Sequence, residues 1–262
     1  MEKAKLAIIG GTGFEDLLKS ARQTRLRTPY GTVTSLFIRK MHDRNVLLLS
    51  RHGPDHSIPP HKVNYRANIY ALHKMGVERI LATNAVGAIN QDFKPGDIVV
   101  PHDFADFTKF RPTTFYDNAP VTHIDVSKAY CPEIRKLLIE NARKHNLNVW
   151  EEAVLVCTEG PRFETPAEIE IFRRVGCDVV GMTSFPEVVL ARELQMCYAS
   201  ICYVSNMAAG LQQRLIASEV ASISKHILPK VKEVLIESVR SLPYKRGDNC
   251  TCASTLQNAR FE

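Results

Sequence analysis

Residues 158–187 read TEGPRFETPAEIEIFRRVGCDVVGMTSFPE, and this stretch indicates the fold of the chain. An apolar run, Ala153 to Cys157, leads into a Gly160-Pro161 turn. A helical segment then begins near Thr165-Pro166 and ends by Gly176, and a second apolar run follows over residues 178–182. The pattern predicts a strand, a helix and a second strand. Ligands of open α/β sheets bind at the carboxyl ends of such strands.

The same pattern recurs along the whole chain, since four further apolar runs end in small or polar residues. These ends are Gly11-Thr12, Arg51-His52, Asn84-Ala85 and Ser205-Asn206. Strands and helices alternate without an internal repeat or a linker, which is typical of one α/β domain. We predict a single domain over residues 1–243, with a central mixed, twisted sheet flanked by helices. A polar tail, residues 244–262, follows it.

Composition and charge favour an ordinary globular protein that acts on small anions. The 262 residues are 45% hydrophobic and 24% charged, and the formal net charge is +6. Charges of both signs are interspersed, so no basic stripe indicates a nucleic-acid partner. The apolar runs are far shorter than the roughly 20 residues of a membrane span. The N-terminal MEKAKLAIIGG lacks the apolar stretch of a secretory signal. We therefore expect a cytoplasmic protein without a membrane partner.

The seven cysteines fall into two groups. Five lie in or beside apolar segments and are predicted to be small core residues: Cys131, Cys157, Cys177, Cys197 and Cys202. The other two form the sequence NCTC in the polar tail, at Cys250 and Cys252. A lone Cys-x-Cys is a poor zinc site, because two more ligands are missing nearby in the sequence. It can instead form a strained disulfide, of the kind found inside hyperthermophile cells.

Two strand ends carry groups that suit an anion. Gly10 to Gly13 lies between a strand and a helix, where backbone N–H groups point at a phosphate, but it lacks the G-x-G-x-x-G spacing and the P-loop lysine. It predicts a phosphate or nucleoside cradle, or else a plain tight turn. Arg51 and His52 can clamp an oxyanion. The nearby His56 and His61 raise a metal site as an alternative, but no acidic or cysteine partner stands at ligand spacing.

The sequence contains no motif for a protein nucleophile. G-x-S-x-G, H-E-x-x-H and the Walker A pattern are all missing from it. Hydroxyls, backbone amides, one arginine and one histidine suit an oxyanion, whereas Phe163, Glu164, Met182 and Asn206 suit a flat heterocycle and a sugar. Together they indicate phosphate attacking a nucleoside. Phosphate is then the nucleophile, so the protein needs none.

A set of ordered motifs resembles the trimeric purine nucleoside phosphorylases and methylthioadenosine phosphorylases. The match runs from about Ala7 to the last helix, and RHGPDHSIPPHKVNY and RPTTFYD are closer to the methylthioadenosine branch. Its marks are GGTG (10–13), RHG (51–53), VNYRANI (63–69), NAVGAI (84–89), PGDIVVP (95–101), TEGPRFET (158–165) and GMTSFPEVVLARE (181–193). The resemblance implies the nucleoside phosphorylase fold, a homotrimer or dimer of trimers, and reversible phosphorolysis with inorganic phosphate as co-substrate. It implies no metal and no organic cofactor.

The resemblance also implies roles for individual residues. Phosphate-site residues are Thr12, Arg51, His52, Asn84, Ala85 and Thr183. Met182 lies under the ribose, Phe163 stacks on the base, and His123 reaches the 5′ side of a neighbouring subunit's pocket. Candidate base-binding positions are Glu164, Asn206, Met207 and Ala208. Asn206 and His52 are the candidate catalytic residues.

The base-reading positions depart from the methylthioadenosine pattern. That branch has two aspartates after the last strand, where this chain has Asn206 and Ala208. Glu164 stands where 6-oxopurine phosphorylases carry glutamate and adenosine-type enzymes carry a small hydroxyl residue. Hypoxanthine and guanine present N1–H to Glu164 and O6 to the Asn206 amide, whereas adenine mismatches both. The pattern therefore predicts a 6-oxopurine nucleoside phosphorylase. In the alternative reading, Glu164 caps the helix at Thr165 and Asn206 is a turn residue.

The 5′ side of the substrate is left open by the sequence. Ala217 aligns where the purine nucleoside branch has a histidine for the 5′-hydroxyl, and a small apolar residue leaves room for a methylthio group. Candidate specificity positions are Glu164, Thr165, Asn206, Ala208 and Ala217. Alternatives are a methylthioadenosine or methylthioinosine phosphorylase, a nucleoside hydrolase and a nonenzymatic nucleotide-binding protein. The hydrolase lacks its calcium-binding aspartates here, and the retained Arg51, His52 and Thr183 argue against a nonenzymatic protein.

Overall fold

One large mixed sheet organises the fold in the computed structural model, which describes residues 3–11, 13–53, 55–214 and 217–260. Its strands are β1 (Leu6–Gly10), β2 (Arg22–Thr28), β3 (Gly31–Met41), β4 (Arg44–Ser50), β5 (Arg79–Ala88), β6 (Ile98–Val99), β7 (Asp103–Phe107), β8 (Val149–Trp150), β9 (Val154–Thr158), β10 (Val179–Gly181) and β11 (Cys197–Met207). The helices are α1 (Glu15–Leu18), α2 (Tyr65–Lys74), α3 (Pro132–Lys144), α4 (Pro166–Arg174), α5 (Ser184–Glu193) and α6 (Ala217–Ser241). The predicted α/β class with a mixed sheet between helices is confirmed.

The strands run in the order β2-β3-β4-β1-β5-β10-β9-β7, and β11 pairs with β5 beside this path. β4, β1, β5 and β11 are parallel neighbours. β2, β3 and β4 form an antiparallel meander. At the other end of the path, β10 is antiparallel to β5 and parallel to β9. The parallel centre brings the carboxyl ends of β1, β4, β5 and β11 to one edge.

Strand β5 changes partner half-way along. Residues 79–82 pair with β1, whereas Gly87 and Ala88 pair with β10 on the same side. Residues 83–86 thus lie in a gap between the end of β1 and the start of β10. On its other side β5 pairs with β11 throughout, with a bulge at Ser205 where the register shifts between Val204 and Asn206. The gap leaves a notch in the sheet at the predicted ligand-binding edge.

Two layers of helices cover the sheet, as the alternation of strand side chains requires. Leu6 and Ile8 of β1 point into a cluster with α3 and α6. Ala7 and Ile9 point to the opposite face and pack with α2 and α5. Every β1 residue is buried, as expected for a central parallel strand covered on both faces.

The structure differs in three segments from what the local sequence predicts. Residues 104–117 are rich in aromatics and contain Arg111-Pro112, which predicts an irregular loop, but Asp103–Phe107 form β7, parallel to β9. The apolar pattern predicts a helix from Glu187, but the helix begins at Ser184, with a nonhelical Phe185. Pro229 predicts an interruption of the last helix, yet α6 continues through it. Burial of Leu228, Val231 and its other apolar residues against the sheet offsets the roughly 3 kcal/mol cost of an interior proline.

The polar tail lies against the body of the protein through several hydrogen bonds. Arg246 Nη2 donates to the carbonyls of Glu78 and Gln195 at 3.1 and 2.9 Å. The amide of Gly247 donates to Glu133 Oε1 at 2.7 Å, and a short 3₁₀ turn follows at Thr251–Ser254. No helix in the described part of the chain combines the length and apolarity needed to span a bilayer.

Candidate active site

A cavity of about 450 Å³ opens at the notch beside β5. Its size lies in the usual range for small-molecule sites. The predicted site residues that line it are Arg51, His52, Asn84, Ala85, Phe163, Glu164, Met182, Thr183 and Asn206. They come from the ends of β4, β10 and β11, from the β9–α4 loop and from the middle of β5, where the predicted strand end at Asn84-Ala85 is wrong because β5 continues to Ala88. The fold thus brings together groups that lie far apart in sequence.

Arg51 is fixed at the base of this cavity by a buried carboxylate. Its Nε and Nη2 donate to the two oxygens of Glu187 at 2.6 and 2.8 Å, and Nη1 donates to the Thr83 carbonyl at 2.8 Å. The Tyr198 hydroxyl donates to the same carboxylate at 2.9 Å. The side chains of Arg51 and Glu187 are 1% and 0% exposed. The predicted bidentate fork is therefore occupied by Glu187, and the N–H groups that remain on Nη1 and Nη2 are those available to an anion.

His52 is a neutral side chain in this environment. Burial, followed by the charge of Arg51, lowers the pKa of His52 to about 4. Nδ1 lies 2.7 Å from the Ile58 carbonyl and must carry the proton to donate there. The other ring nitrogen, Nε2, is then an acceptor. His52 can accept a hydrogen bond from a protonated phosphate oxygen, but it adds no positive charge.

A chain of hydrogen bonds crosses the middle of the cavity wall. Thr183 Oγ1 donates to Asn84 Oδ1, and Asn84 Nδ2 donates to Ser200 Oγ, both at 2.6 Å. Thr183 precedes α5 but makes no side-chain cap to it. The chain holds the Asn84 amide and the Thr183 hydroxyl in fixed orientations beside Arg51. Asn84 Nδ2 keeps one further N–H that can donate to an anion, whereas Thr183 Oγ1 has used its hydrogen and can only accept from a protonated phosphate oxygen.

Glu164 points into the cavity and does not cap α4. Thr158 Oγ1 donates to Glu164 Oε1 at 2.6 Å, and burial raises the pKa of the Glu164 carboxyl. The α4 cap is instead a reciprocal pair: Thr165 accepts from the Glu168 amide, and the Glu168 side chain accepts from the Thr165 amide. The capping alternative for Glu164 is therefore wrong.

Asn206 lies on β11, directly after the bulge, and is buried. Its Nδ2 donates to the Met207 carbonyl at 2.8 Å, and its Oδ1 accepts from Ser205 Oγ at 2.7 Å. A side-chain amide has two donors and two acceptor sites. One of each is left, so Asn206 can both donate to a ligand and accept from it.

Phe163 and Met182 form the apolar part of the cavity. Phe163 is 41% exposed although it lines the cavity, so its ring has an open face. Met182 lies against Gly160, where a Cβ atom would come within 2.7 Å of the Met182 sulfur. Gly160 also has a φ of +67°, which side-chain-bearing residues rarely adopt. The glycine of the Gly160-Pro161 turn thus makes room for the methionine.

Some predicted site residues do not line this cavity. Thr165 caps α4, and Ala208 is buried in a cluster with Val180 and Ile169. Met207 lies beyond Asn206, also outside the lining. His123 is exposed and lies in a separate depression with Val189 and Glu193. Thr12 and the side chain of Ala217 lie outside the described residues.

Arg111 positions two loops of the site without lining the cavity, a role that the sequence did not reveal. It is buried, and its guanidinium donates to four backbone carbonyls within 3.1 Å, those of Met182, Phe185, Thr158 and Glu159. It therefore ties the β9–α4 loop to the β10–α5 loop. The sequence signal was the RPTTFYD motif, which indicated only the branch of the family.

Comparisons with known proteins agree with this geometry. The sequence profile of the phosphorylase superfamily matches residues 5–240. A probable S-methyl-5′-thioinosine phosphorylase of Methanopyrus kandleri is 51% identical over 257 residues, covering 97% of this chain and 98% of the relative. The chain belongs to the phosphorylase superfamily. Within it, the chain is an enzyme of the purine nucleoside phosphorylase group, and the resemblance predicted from the motifs is confirmed.

Other members of the superfamily extend the likeness to structure and to a second substrate class. The 6-oxopurine nucleoside phosphorylase of Pyrococcus furiosus is 46% identical, covering 97% of this chain and 98% of its own. The methylthioadenosine phosphorylase of Schistosoma mansoni, solved with adenine, has a TM-score of 0.90 at 34% identity, covering 98% of this chain and 99% of that one. The names of the relatives thus divide between 6-oxopurine and methylthio nucleosides.

The groups of this phosphorylase that have spare hydrogen-bonding capacity divide into two sets. Arg51 and His52 follow β4, Asn84 lies on β5 and Thr183 directly precedes α5. Arg51 and Asn84 can donate to an oxyanion, and His52 and Thr183 can accept from its protonated oxygens. Glu164 and Asn206 come from the β9–α4 loop and β11. One supplies a carboxylate and the other an amide, the groups that read the edge of a heterocycle.

Proposed function

We propose that the protein catalyses the reversible phosphorolysis of 6-oxopurine nucleosides such as inosine and guanosine. A phosphate oxygen bonds to C1′ of the ribose, the bond from C1′ to N9 breaks, and the base leaves with the electron pair and takes up the proton that the hydrogen phosphate loses. The products are the free base and ribose-1-phosphate. The observation that carries the proposal is the pairing of a buried Glu164 carboxylate with the Asn206 amide in one cavity.

The two classes of purine differ at N1 and at the group on C6, and these are the positions at which the protein can distinguish 6-oxopurines from adenine. The Glu164 carboxylate accepts from N1–H of hypoxanthine or guanine, and the Asn206 amide donates to O6 or accepts from a protonated N7. The N1 of adenine carries no hydrogen and is an acceptor, so it cannot form a hydrogen bond with the Glu164 carboxylate, which is also an acceptor. An unsatisfied buried polar group costs about 1–3 kcal/mol, or about 5- to 150-fold in selection. The free donor and acceptor of Asn206 support this reading.

The phosphate side of the proposal needs no metal or organic cofactor. Arg51 supplies the positive charge, held in place by Glu187, and Thr183 and Asn84 supply neutral hydrogen-bonding groups. Neutral His52 accepts from a protonated phosphate oxygen, so the phosphate is held by one cation and several dipoles. Ala85 lets the β5 backbone approach the ion, and Thr12 is proposed to add a hydroxyl.

The proposed assembly is a homotrimer or a dimer of trimers. In it His123 reaches the 5′ side of a neighbouring subunit's cavity. Two observations support this: His123 is exposed, and it lies away from the cavity of its own chain. Large apolar side chains also face solvent nearby in sequence, with Phe110 and Val121 87% and 54% exposed.

A second candidate substrate is 5′-methylthioinosine, which has the same base as inosine. The name of the Methanopyrus kandleri relative, at 51% identity, favours it. Glu164 and Asn206 would read its hypoxanthine in the same way. The two candidates differ only at the 5′ position, for which Ala217 is the proposed determinant.

The deciding experiment compares phosphate-dependent cleavage of inosine, guanosine, adenosine, methylthioadenosine and methylthioinosine. Faster turnover of the 6-oxopurine compounds than of the adenine compounds supports the base assignment. The ratio of methylthioinosine to inosine then assigns the 5′ group. A preference for adenine compounds would contradict the roles of Glu164 and Asn206. Cleavage without phosphate would contradict the phosphorolysis itself.

Selection of inosine over adenosine is expected to weaken as pH falls. Burial raises the pKa of Glu164 above the usual carboxyl value, so the carboxylate takes up its proton at a higher pH than an exposed glutamate. The protonated carboxyl can donate to the bare N1 of adenine, and without its charge it is a weaker acceptor for N1–H. The ratio of the two kcat/KM values, measured from neutral pH downward, should fall before ordinary carboxyls titrate. In Glu164→Gln the ratio should already be low and independent of pH.

Asn206→Asp is expected to raise adenosine cleavage relative to inosine cleavage. An aspartate at this position accepts from the adenine amino group and cannot donate to O6. Ala208→Asp should add to the effect, but Ala208 is 1% exposed, so the double variant buries a carboxylate and is expected to lose stability. Competition assays on the single and double variants measure the ratio, with thermal unfolding as the control. An unchanged ratio in both folded variants would contradict the proposed reading of the base.

A further inference from the structure

Four of the seven cysteines converge in space although they come from three parts of the chain. They are Cys131, Cys197, Cys250 and Cys252, and their sulfur atoms all lie within 4.8 Å of one another. The Cys197 and Cys250 sulfurs are 3.4 Å apart. A zinc ion with four sulfur ligands at about 2.3 Å requires edges of about 3.8 Å between them. The observed spacing is that of a compact tetrahedral group.

We propose that these four cysteines bind one zinc ion as thiolate ligands. Cys-x-Cys alone is a poor zinc site in the sequence, because the two missing ligands are not its neighbours along the chain. The fold supplies them as Cys131 and Cys197. This assignment goes beyond the proposed function, because no step of phosphorolysis uses the ion.

The fold holds the two halves of the site in register. Cys131 directly precedes α3, and its amide donates to the Tyr198 carbonyl at 2.8 Å, next to Cys197 at the start of β11. Cys250 and Cys252 arrive in the 3₁₀ turn of the tail. The tail is held there by Arg246 and Gly247, and by the Gln195 side chain, which donates to the Ala253 carbonyl. Each half is thus positioned by hydrogen bonds that do not involve sulfur.

The burial of the cluster is that of a closed structural site. Cys131 and Cys197 are 0% exposed and Cys252 is 1% exposed, whereas Cys250 is half-buried and offers a path to solvent. Four protein ligands leave no open position for a substrate or water. The cluster lies at the start of β11, and Asn206 is nine residues further on, about 30 Å away along an extended strand. The ion is therefore structural and binds the tail to the sheet.

A buried cation accompanies the cluster. Arg192 is 4% exposed, and its Nε and Nη1 have no hydrogen-bond partner among the described residues. Its positive charge acts on Cys252. Four thiolates around Zn²⁺ carry a net charge of −2, which a nearby buried cation stabilises. The zinc site adds a second negative group near Arg192, whose charge also acts on Asp125.

The first test is the metal content of the full chain, purified with a reductant and without added metal. About one zinc per chain is expected by mass spectrometry. Replacement by Co²⁺ should give the strong visible absorption of tetrahedral cobalt bound to thiolates. Thiol titration of a second sample, purified and denatured without reductant, is the second readout. Absence of zinc, or loss of two or four thiols to disulfides, would overturn the proposal.

Variants locate the ion and separate this proposal from the enzymatic one. Cys250→Ser with Cys252→Ser should lose the zinc and lower the Tm, with kcat on inosine unchanged in the folded protein. The matched control is Cys177→Ala, a buried cysteine outside the cluster, which should keep the zinc. Zinc retained by the double variant would overturn the assignment. Should that variant fail to fold, the wild-type chain stripped with a chelator still tests it, since returned zinc must raise the Tm.

Discussion

Asn206→Ala is expected to lower kcat on inosine by about 100- to 1000-fold, the usual loss when one preorganised donor at a developing charge is removed. The charge develops on the purine as the bond to C1′ breaks, and the free amide capacity of Asn206 faces this base. The KM for phosphate should change little, because Arg51, His52 and Thr183 remain. Steady-state kinetics with saturating phosphate, followed by a phosphate titration, measure both quantities.

The matched control is Asn148→Ala, which also removes an amide that donates a hydrogen bond, in this case to Asp97 Oδ1 at 2.9 Å. Asn148 lies outside the cavity lining, so its loss should reduce stability and leave kcat unchanged. If both variants lost kcat to the same extent, the effect at Asn206 would be structural. If Asn206→Ala lowered kcat by less than 10-fold, Asn206 would not be a catalytic residue.

Glu187→Gln is expected to lower the free energy of unfolding by about 3–5 kcal/mol, because it leaves the charge of a buried arginine uncompensated. Both oxygens of Glu187 bind Arg51, and Oε2 also accepts from Tyr198. The amide carries no charge and can accept at only one of its two positions. Urea unfolding at a fixed protein concentration measures the change, and an unchanged slope with denaturant confirms that the same transition is compared.

The control for this pair is Glu78→Gln, which breaks the exposed ion pair with Lys5. Exposed pairs contribute about 1 kcal/mol or less, so the control should unfold close to the wild type. Each substitution removes one carboxylate from one ion pair. The difference between the two losses in unfolding free energy therefore measures the effect of burying the pair. A Glu187→Gln loss as small as that of the control would mean that water reaches Arg51.

The fold was predictable because its strongest patterns are local. The apolar run of β1 and the spacing of apolar residues in α2 and α3, with the residues at the helix ends, are enough to predict these elements. β7 was missed because only its pairing with β9 makes Asp103–Phe107 a strand, and its sequence has an acidic residue at every third position. The continuity of α6 at Pro229 was missed for the same kind of reason, since tertiary burial outweighs local propensity.

The site was predictable as a set of residues but not as a network. Strand ends and motifs identified Arg51, Glu164, Thr183 and Asn206, and these line one cavity. The partner of Arg51 could not be found in this way, because Glu187 is 136 residues away in sequence. The four-cysteine cluster could not be predicted for the same reason. Its members, Cys131, Cys197, Cys250 and Cys252, lie in three parts of the chain that are too far apart in sequence for any ligand spacing to link them.

The bulge at Ser205 has a consequence for how such enzymes diversify. Upstream of it, β11 keeps a continuous register with β5, from Cys197 to Val204, and every side chain there is buried. Downstream, the inserted residue re-aims the chain, as bulges do beside functional sites. Substitutions at the base-reading end can therefore accumulate without disturbing the pairing that stabilises the sheet. Ancestral sequences could drift from one purine to another through a single short segment, while selection preserved the scaffold behind it.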